Sequence, residues 1–345
     1  MNKLTWNPFR KYLKPKTVFW WFETICNLRC NHCDIGKKTL LAKFRPALDI
    51  NQKRQVIEIL RTWLGKPFNL TFIAGEPFLH QDMYEVLSYA SKYNAVTSLT
   101  SNGTIISIPE NARKVVLSGL NFLALSLDSY NSAIHDKSRG RPGVRNQVMA
   151  AVKHLKQTKK QLRRDNPKIF INSIVMKNNT KELIDLIKWA KREQLDGITF
   201  QPIASTEFFA GDSAGKFWFK KSPLWPTLDQ ALKFVDKLEK MKKSGFPIQN
   251  SENDFKRFRD YFTDPVKFSQ TETCEAELNS ILITHDGFVK MCPSGPEYFG
   301  HILKDNLDAV WNSAAASRAR KHVYECQTQA KILAINKEDF YFSPV

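Results

Sequence analysis

Nothing in this sequence could span a membrane: no window approaches the eighteen or so uninterrupted apolar residues that a spanning helix requires. A secretion signal is lacking too, because the first apolar run, Thr17 to Trp21, is short, Glu23 interrupts its continuation, and no small-residue cleavage site follows. The expected location is therefore cytoplasmic. Low-complexity tracts are absent, as is any recognisable nucleic-acid module or stacking-aromatic signature, so no specific nucleic-acid partner is expected. Cysteine is scarce, with six in 345 residues, and in a cytoplasmic chain clustered cysteines point to metal binding or chemistry before disulfides. Acidic residues are also in deficit: 34 against 52 Lys and Arg, a formal net charge of +18. The excess suits an anionic substrate, an acidic peptide or an anionic membrane surface, with a solvated lysine-rich surface as the plain alternative. The opening Trp6, Phe9, Arg10, Tyr12, Lys14 and Lys16 mix aromatic and basic side chains that could rest on a membrane, although an ordinary N-terminal extension is the expectation.

What is present is an alternation of two periodicities. Strand-like apolar runs fall at about 17–24, 69–74, 96–101, 121–128, 169–176 and 197–202. Helical spacing fills 50–64, 82–93, 143–158 and 180–193, with a further segment at 227–244. Six strand-then-helix units call for an α/β fold with a parallel sheet and right-handed crossovers, either open or a partial barrel, its active site at the strand C-terminal ends. Residues 203–225, with Gly211, Gly215 and Pro223, read as a long loop that could cover the site. Past 270 a strand at 280–284, the turn His285-Asp286-Gly287, a strand at 288–292 and a helix near 306–321 predict a small hairpin-plus-helix extension. The chain thus divides into an extension (1–16), a barrel core (17–225), connecting helices (226–269), an extension domain (270–330) and a tail (331–345).

Directly after the first strand lies Cys26-x3-Cys30-x2-Cys33. Three thiolates on one tight loop can serve an iron-sulfur cluster or a metal ion. Structural zinc requires four ligands and usually pairs its cysteines two apart; three cysteines leave one iron of a cubane without a protein ligand, where a small chelating cofactor can bind. A zinc ion completed by His32 or Asp34, or a set of buried thiols, are the competing uses.

On these residues the sequence resembles the radical S-adenosylmethionine (SAM) superfamily, with the fold resemblance running over roughly 17–202. It implies a partial (β/α)6 TIM-like barrel, a 4Fe-4S cluster on Cys26, Cys30 and Cys33, and SAM chelated to the open iron. One-electron cleavage then yields a 5'-deoxyadenosyl radical. His32 stands where the family usually places an aromatic ring beside the adenine. Ala74-Gly75-Glu76-Pro77 resembles the family's Gly-Gly-Glu-Pro element, implying that this turn receives the methionine ammonium group. Thr100-Ser101-Asn102-Gly103 and Ser126-Leu127-Asp128 resemble further cofactor-facing strand ends, and Arg139 could pair with the SAM carboxylate. Asn172 and Gln201 could face the barrel mouth.

Cys274 and Cys292 flank the hairpin and, with Cys326, resemble the twitch or SPASM extension that carries an auxiliary cluster. Gln329 occupies the position where a closing cysteine is expected. The fourth position would be an open iron, a ligand such as Gln329 or a nearby histidine, or no cluster would form. An auxiliary cluster could accept a second electron, which points to oxidative modification of a small molecule, with Asp128, Glu275 and Glu277 as candidate bases. A one-electron donor such as flavodoxin or ferredoxin is implied. Peptide or protein modification is the alternative, although only some sixteen residues precede the first strand. A non-catalytic iron-sulfur or zinc protein that binds nucleic acid is the third reading.

Overall fold

Six of the apolar runs become parallel strands in the computed structural model, which describes residues 13–22, 24–33, 35, 46–65, 67–205, 215, 217–274, 280–293, 295–329 and 331–335. These strands are β1 (Thr17–Trp21), β2 (Phe68–Ile73), β3 (Ala95–Ser101), β4 (Phe122–Ser126), β5 (Lys168–Val175) and β6 (Gly197–Pro202). The pleat decides which side is buried. In β5, Ile169, Ile171, Ser173 and Val175 are buried and the residues between them half-buried, so one face takes the helices and the other lines the inside of an unclosed barrel.

Helices α1 (Ile50–Leu64), α2 (Asp82–Lys92), α3 (Pro109–Leu117), α4 (Ser132–Arg139), α5 (Val144–Leu162) and α6 (Glu182–Arg192) return the chain between these strands. The limits of α1 are written locally: Asp49 and Gln52 form a capping box, and Gly65 ends the helix at φ 76°. Its Val56, Ile57 and Leu60 share one continuous core with Trp20 of β1, whose ring stacks on Phe72 of β2 at 5.8 Å. The sequence pattern did not single out α3 and α4. The latter is bounded by Asn131, whose side chain accepts from the Ala133 N–H, and by Gly140 at φ 70°.

Beyond β6 come α7 (Trp218–Lys221), α8 (Leu228–Lys243), α9 (Glu252–Thr263) and α10 (Pro265–Thr271). The first of these lies in the segment expected as a loop, of which 206–214 and 216, Gly211 included, lie outside the described residues. The hairpin forms as β7 (Ser280–Ile283) and β8 (Phe288–Lys290), with Gly287 in the turn at φ 88°.

This hairpin joins the barrel sheet. β7 pairs in parallel with β1, Thr17 opposite Ser280 and Trp20 opposite Ile283, so the sheet runs β6-β5-β4-β3-β2-β1-β7-β8-β9, where β9 is Gly300–His301. The extension therefore continues the barrel sheet at its β1 edge. The expected helix near 306–321 divides into α11 (Leu307–Trp311) and α12 (Ala314–Glu325), because Ser313 caps a second start; α13 (Lys331–Ile335) follows. Among the described residues no helix is long and apolar enough to cross a membrane. Trp6, Phe9, Arg10 and Tyr12 lie outside them, whereas Lys14, itself exposed, donates to the Trp63 carbonyl at 2.6 Å.

Candidate active site

β1 delivers the chain into the cysteine loop, and two neighbouring strand ends hold that loop in place. None of the six cysteines is in a disulfide. The Glu76 N–H donates to the Ile25 carbonyl at 2.8 Å, tying the turn after β2 to the loop's entrance. Asn102, at the end of β3, donates through Nδ2 to Asn27 Oδ1 at 2.8 Å and stands 3.9 Å from Cys26 Sγ. The far end of the loop rests on α4. There the Asn31 N–H donates to the Ser138 carbonyl at 3.0 Å, and Arg139 Nη1 stands 3.9 Å from Cys30 Sγ.

Glu76 is the hub between β2 and β3. Its carboxylate accepts from Ser101 Oγ at 2.8 Å, the Asn102 N–H at 2.7 Å and the Phe78 N–H at 3.3 Å. Burial nevertheless pushes its pKa up to about 7, the three hydrogen bonds opposing that rise. A cationic partner such as an ammonium group would offset that burial penalty and favour the ionised carboxylate. Between the ordinary value of 4.5 and about 7 the folded chain holds a proton that the unfolded chain has released, so stability falls as pH rises through that window. In the cofactor-free chain this group should cost about 3 kcal/mol by pH 8. Denaturant titrations at pH 5 and pH 8 should show that loss in wild type and not in Glu76→Gln, which should also bind SAM about tenfold or more weakly.

The turn carrying Glu76 is strained. Ala74 has φ 66° and Gly75 φ 59°. Left-handed backbone costs a residue with a Cβ about 1–2 kcal/mol. Ala74→Gly is therefore expected to preserve or raise the unfolding midpoint. Ala74→Val should lower stability by about 1–2 kcal/mol, since a branched side chain tolerates this region least.

A second buried cluster lies across the site. Asp128, just past β4, pairs with Arg139, Nη2 to Oδ2 at 2.8 Å, and both side chains are buried. Burial alone would raise the Asp128 carboxyl, but Arg139, then His32 and His135, outweigh it and hold it below the usual carboxylate range. Such a carboxylate is a poor proton acceptor. The structure thus gives Asp128 to Arg139, and its remaining bonds reinforce that placement: Oδ1 accepts from the Ile174 N–H at 3.1 Å. His135 accepts from the Asp128 N–H at 3.1 Å, and burial, then Arg139, push its pKa down to about 4. His32 is buried with Nδ1 3.3 Å from Ser138 Oγ.

Ser126, Asn172 and Thr199 occupy one register row across β4, β5 and β6. Asn172 Oδ1 and Thr199 Oγ1 are buried with no hydrogen-bond partner among the described residues, as groups facing an absent ligand would be. Pro77 opens a short 3-10 turn (Pro77–Leu79), and Gln201 is half-buried on β6. Glu275, Glu277 and Asp34 lie outside the described residues.

The donor set fits an iron-sulfur cluster. Burial pushes the Cys26 thiol up to about 11; a hydrogen bond from the Leu28 backbone pulls the other way, while Glu76, Cys30 and Cys33 add to the rise. Positively charged iron would relieve that penalty. Among the described residues no three His, Cys, Asp or Glu side chains form a single-ion site. Ligands of one zinc ion all lie within about 2.3 Å of it, whereas the thiolates of a cubane each bind a different iron; Asp34, which the zinc alternative could use, lies outside the described residues.

Sequence reading passed over Ser138 and Gly140. A Cβ on Gly140 would stand 2.3 Å from the Arg29 carbonyl oxygen, which makes that glycine the contact surface of the loop. The readable signal was Asn131 followed nine residues later by a glycine, the two ends of a short helix.

An open parallel α/β barrel with a three-cysteine loop at the end of its first strand defines a cofactor-dependent barrel enzyme. The sequence matches the radical SAM superfamily over residues 22–199 and an iron-sulfur cluster-binding domain, SPASM, over 274–331. The chain belongs to the radical SAM superfamily, whose cofactors are a 4Fe-4S cluster and SAM, and it carries the domain type that holds auxiliary clusters. Relatives include the AdoMet-dependent heme synthase of Nitratidesulfovibrio vulgaris, 27% identical over 51% of this chain and 45% of that protein. Another is the antilisterial bacteriocin subtilosin biosynthesis protein AlbA of Bacillus subtilis, 24% identical over 84% of this chain and 57% of that protein. The chain spans about half the length of the heme synthases it matches. Streptococcus suis SuiB bound to SAM shares the fold, with a TM-score of 0.68 at 13% identity over 96% of this chain and 76% of that one.

Proposed function

We propose that this chain cleaves SAM reductively and removes a hydrogen atom from its substrate, with an auxiliary cluster taking up the second electron in an oxidative modification. The observation that carries this reading is the cysteine loop at the end of β1, clasped between Glu76 and Asn102 on one side and Arg139 on the other. When bound, the 4Fe-4S cluster and SAM supply the 5'-deoxyadenosyl radical. The protein holds the cluster through Cys26, Cys30 and Cys33, and the Glu76 turn receives the ammonium group. Arg139 keeps positive charge beside Cys30 and fixes α4 through Asp128. Asn172 and Thr199, with unsatisfied buried oxygens, offer acceptors to the hydroxyl groups of a bound molecule.

The net charge of +18 suits an anionic small molecule. A cytoplasmic setting and a one-electron donor such as flavodoxin or ferredoxin complete the proposal. Modification of a peptide or protein is the second reading, favoured by the breadth of the AlbA match, 84% of this chain against 51% for the heme synthase. The test is anaerobic reconstitution, reduction and addition of SAM, followed by chromatography for 5'-deoxyadenosine. Formation of that nucleoside supports the proposal, and its absence from a fully loaded, reduced sample overturns it. Deuterium transfer into deoxyadenosine from labelled peptide or small-molecule pools then separates the two readings.

A further inference from the structure

The second cysteine set lies on three segments that the fold draws together. Cys274 follows α10, Cys292 follows β8, and Cys326 caps the C-terminus of α12. Buried Lys331 ties the last segment to the first, donating through Nζ to the carbonyls of Ser269 at 2.9 Å and Glu272 at 3.0 Å. The Thr328 N–H points at Cys326 Sγ at 3.4 Å, the kind of donor that steadies a thiolate ligand.

Gln329, which stands where a closing cysteine would be, has its side-chain oxygen engaged elsewhere: it accepts from Trp218 Nε1 at 2.6 Å. His322 sits differently. It lies one helical turn before Cys326 on α12, so the two side chains leave the same helix face. It also reaches the Cys292 segment, since a Cβ on Gly295 would stand 3.8 Å from both His322 Cδ2 and Cys292 Cβ. The imidazole is half-buried and makes no hydrogen bond or ion pair among the described residues. An imidazole flanked by two cysteine segments is a ready fourth donor.

We infer that His322 is the fourth protein ligand of the auxiliary cluster, completing a Cys274, Cys292, Cys326 and His322 set, so that this cluster is closed and acts as an electron acceptor rather than as a binding site for substrate. The inference rests on the proposal that 274–331 of this chain holds a cluster. Imidazole in place of a thiolate removes one negative charge and raises the cluster's potential, which suits a group that must accept an electron.

The experiment uses the full chain carrying Cys26→Ala, Cys30→Ala and Cys33→Ala, reconstituted without SAM so that only the auxiliary cluster gives a signal. Iron and sulfide are counted, and the reduced cluster is examined by pulsed electron paramagnetic resonance with natural-abundance and 15N-histidine protein. A strong histidine nitrogen coupling that disappears in His322→Ala, or in His322→Cys if the alanine variant loses its cluster, and that persists in Gln329→Ala, is the expected result. His322→Cys should keep its iron and shift to a lower potential. A four-iron cluster without histidine nitrogen coupling, or coupling that survives in His322→Cys, overturns the inference while leaving an auxiliary cluster in place. A chain with no iron at all removes the cluster proposal and the inference together.

Discussion

Arg139→Met should lower the unfolding free energy of the cofactor-free chain by about 3–5 kcal/mol, because it leaves the fully buried Asp128 carboxylate without its cation. Asp128→Asn strands the guanidinium in the same way. If the two groups act as a pair, the double variant loses much less than the sum of the singles, and a double-mutant cycle by denaturant titration measures the difference. Additive losses, or single losses under about 1 kcal/mol as for a solvated surface pair, would show that the pair contributes little. The effect extends beyond stability. Arg139 is also the positive charge beside Cys30 Sγ, so a cluster assembled in Arg139→Met should have a lower potential and be harder to reduce.

Gly140→Ala should be at least as damaging to cluster binding. The residue sits at φ 70°, where a Cβ carries a backbone penalty of about 1–2 kcal/mol. The added Cβ would also stand 2.3 Å from the Arg29 carbonyl oxygen, and backbone on both sides leaves no flexible side chain to yield. The loop between Cys26 and Cys30 must then move, taking the cysteines out of register with Asn102 and Arg139. Reconstituted Gly140→Ala is expected to retain less than half of the iron that wild type holds at the first cluster, counted in a background lacking Cys274, Cys292 and Cys326. Full iron retention would mean that the glycine contact does not shape the loop. Gly65→Ala serves as a control: its φ is 76°, but nothing lies within 4 Å of the added Cβ.

How much of this was legible in the sequence follows from the range of the forces involved. The six parallel strands and α1 were readable because short apolar strand runs and the helical spacing of 50–64 are local signals, which the Asp49 capping box and Gly65 then bound in the fold. The pairing of β7 with β1 was not, since its partners lie 263 residues apart at Thr17 and Ser280, while the Asp-Gly turn speaks only for the neighbouring hairpin. Of the site, the cysteine loop was legible as spacing. Its supports were less so. Asp128 and Arg139 were each assigned by pattern to the cofactor, whereas folding places them against one another, an outcome that no spacing rule distinguishes from two loop charges in water. Glu76 was legible as a carboxylate near a cation site, but not as the hydrogen-bonded joint between the ends of β2 and β3.

Everything rests on Cys26, Cys30 and Cys33 sharing one four-iron cluster with a corner left for SAM. The most direct measurement is the electron paramagnetic resonance spectrum of the anaerobically reconstituted, reduced chain before and after SAM is added, with iron and sulfide counted on the same sample. The account predicts about eight iron atoms per chain, a spectrum that changes when SAM binds, and the loss of about four iron atoms and of that change when the three cysteines are replaced by alanine. A single zinc ion in the wild-type chain, or a SAM-dependent spectral change that survives in the triple alanine variant, would contradict it.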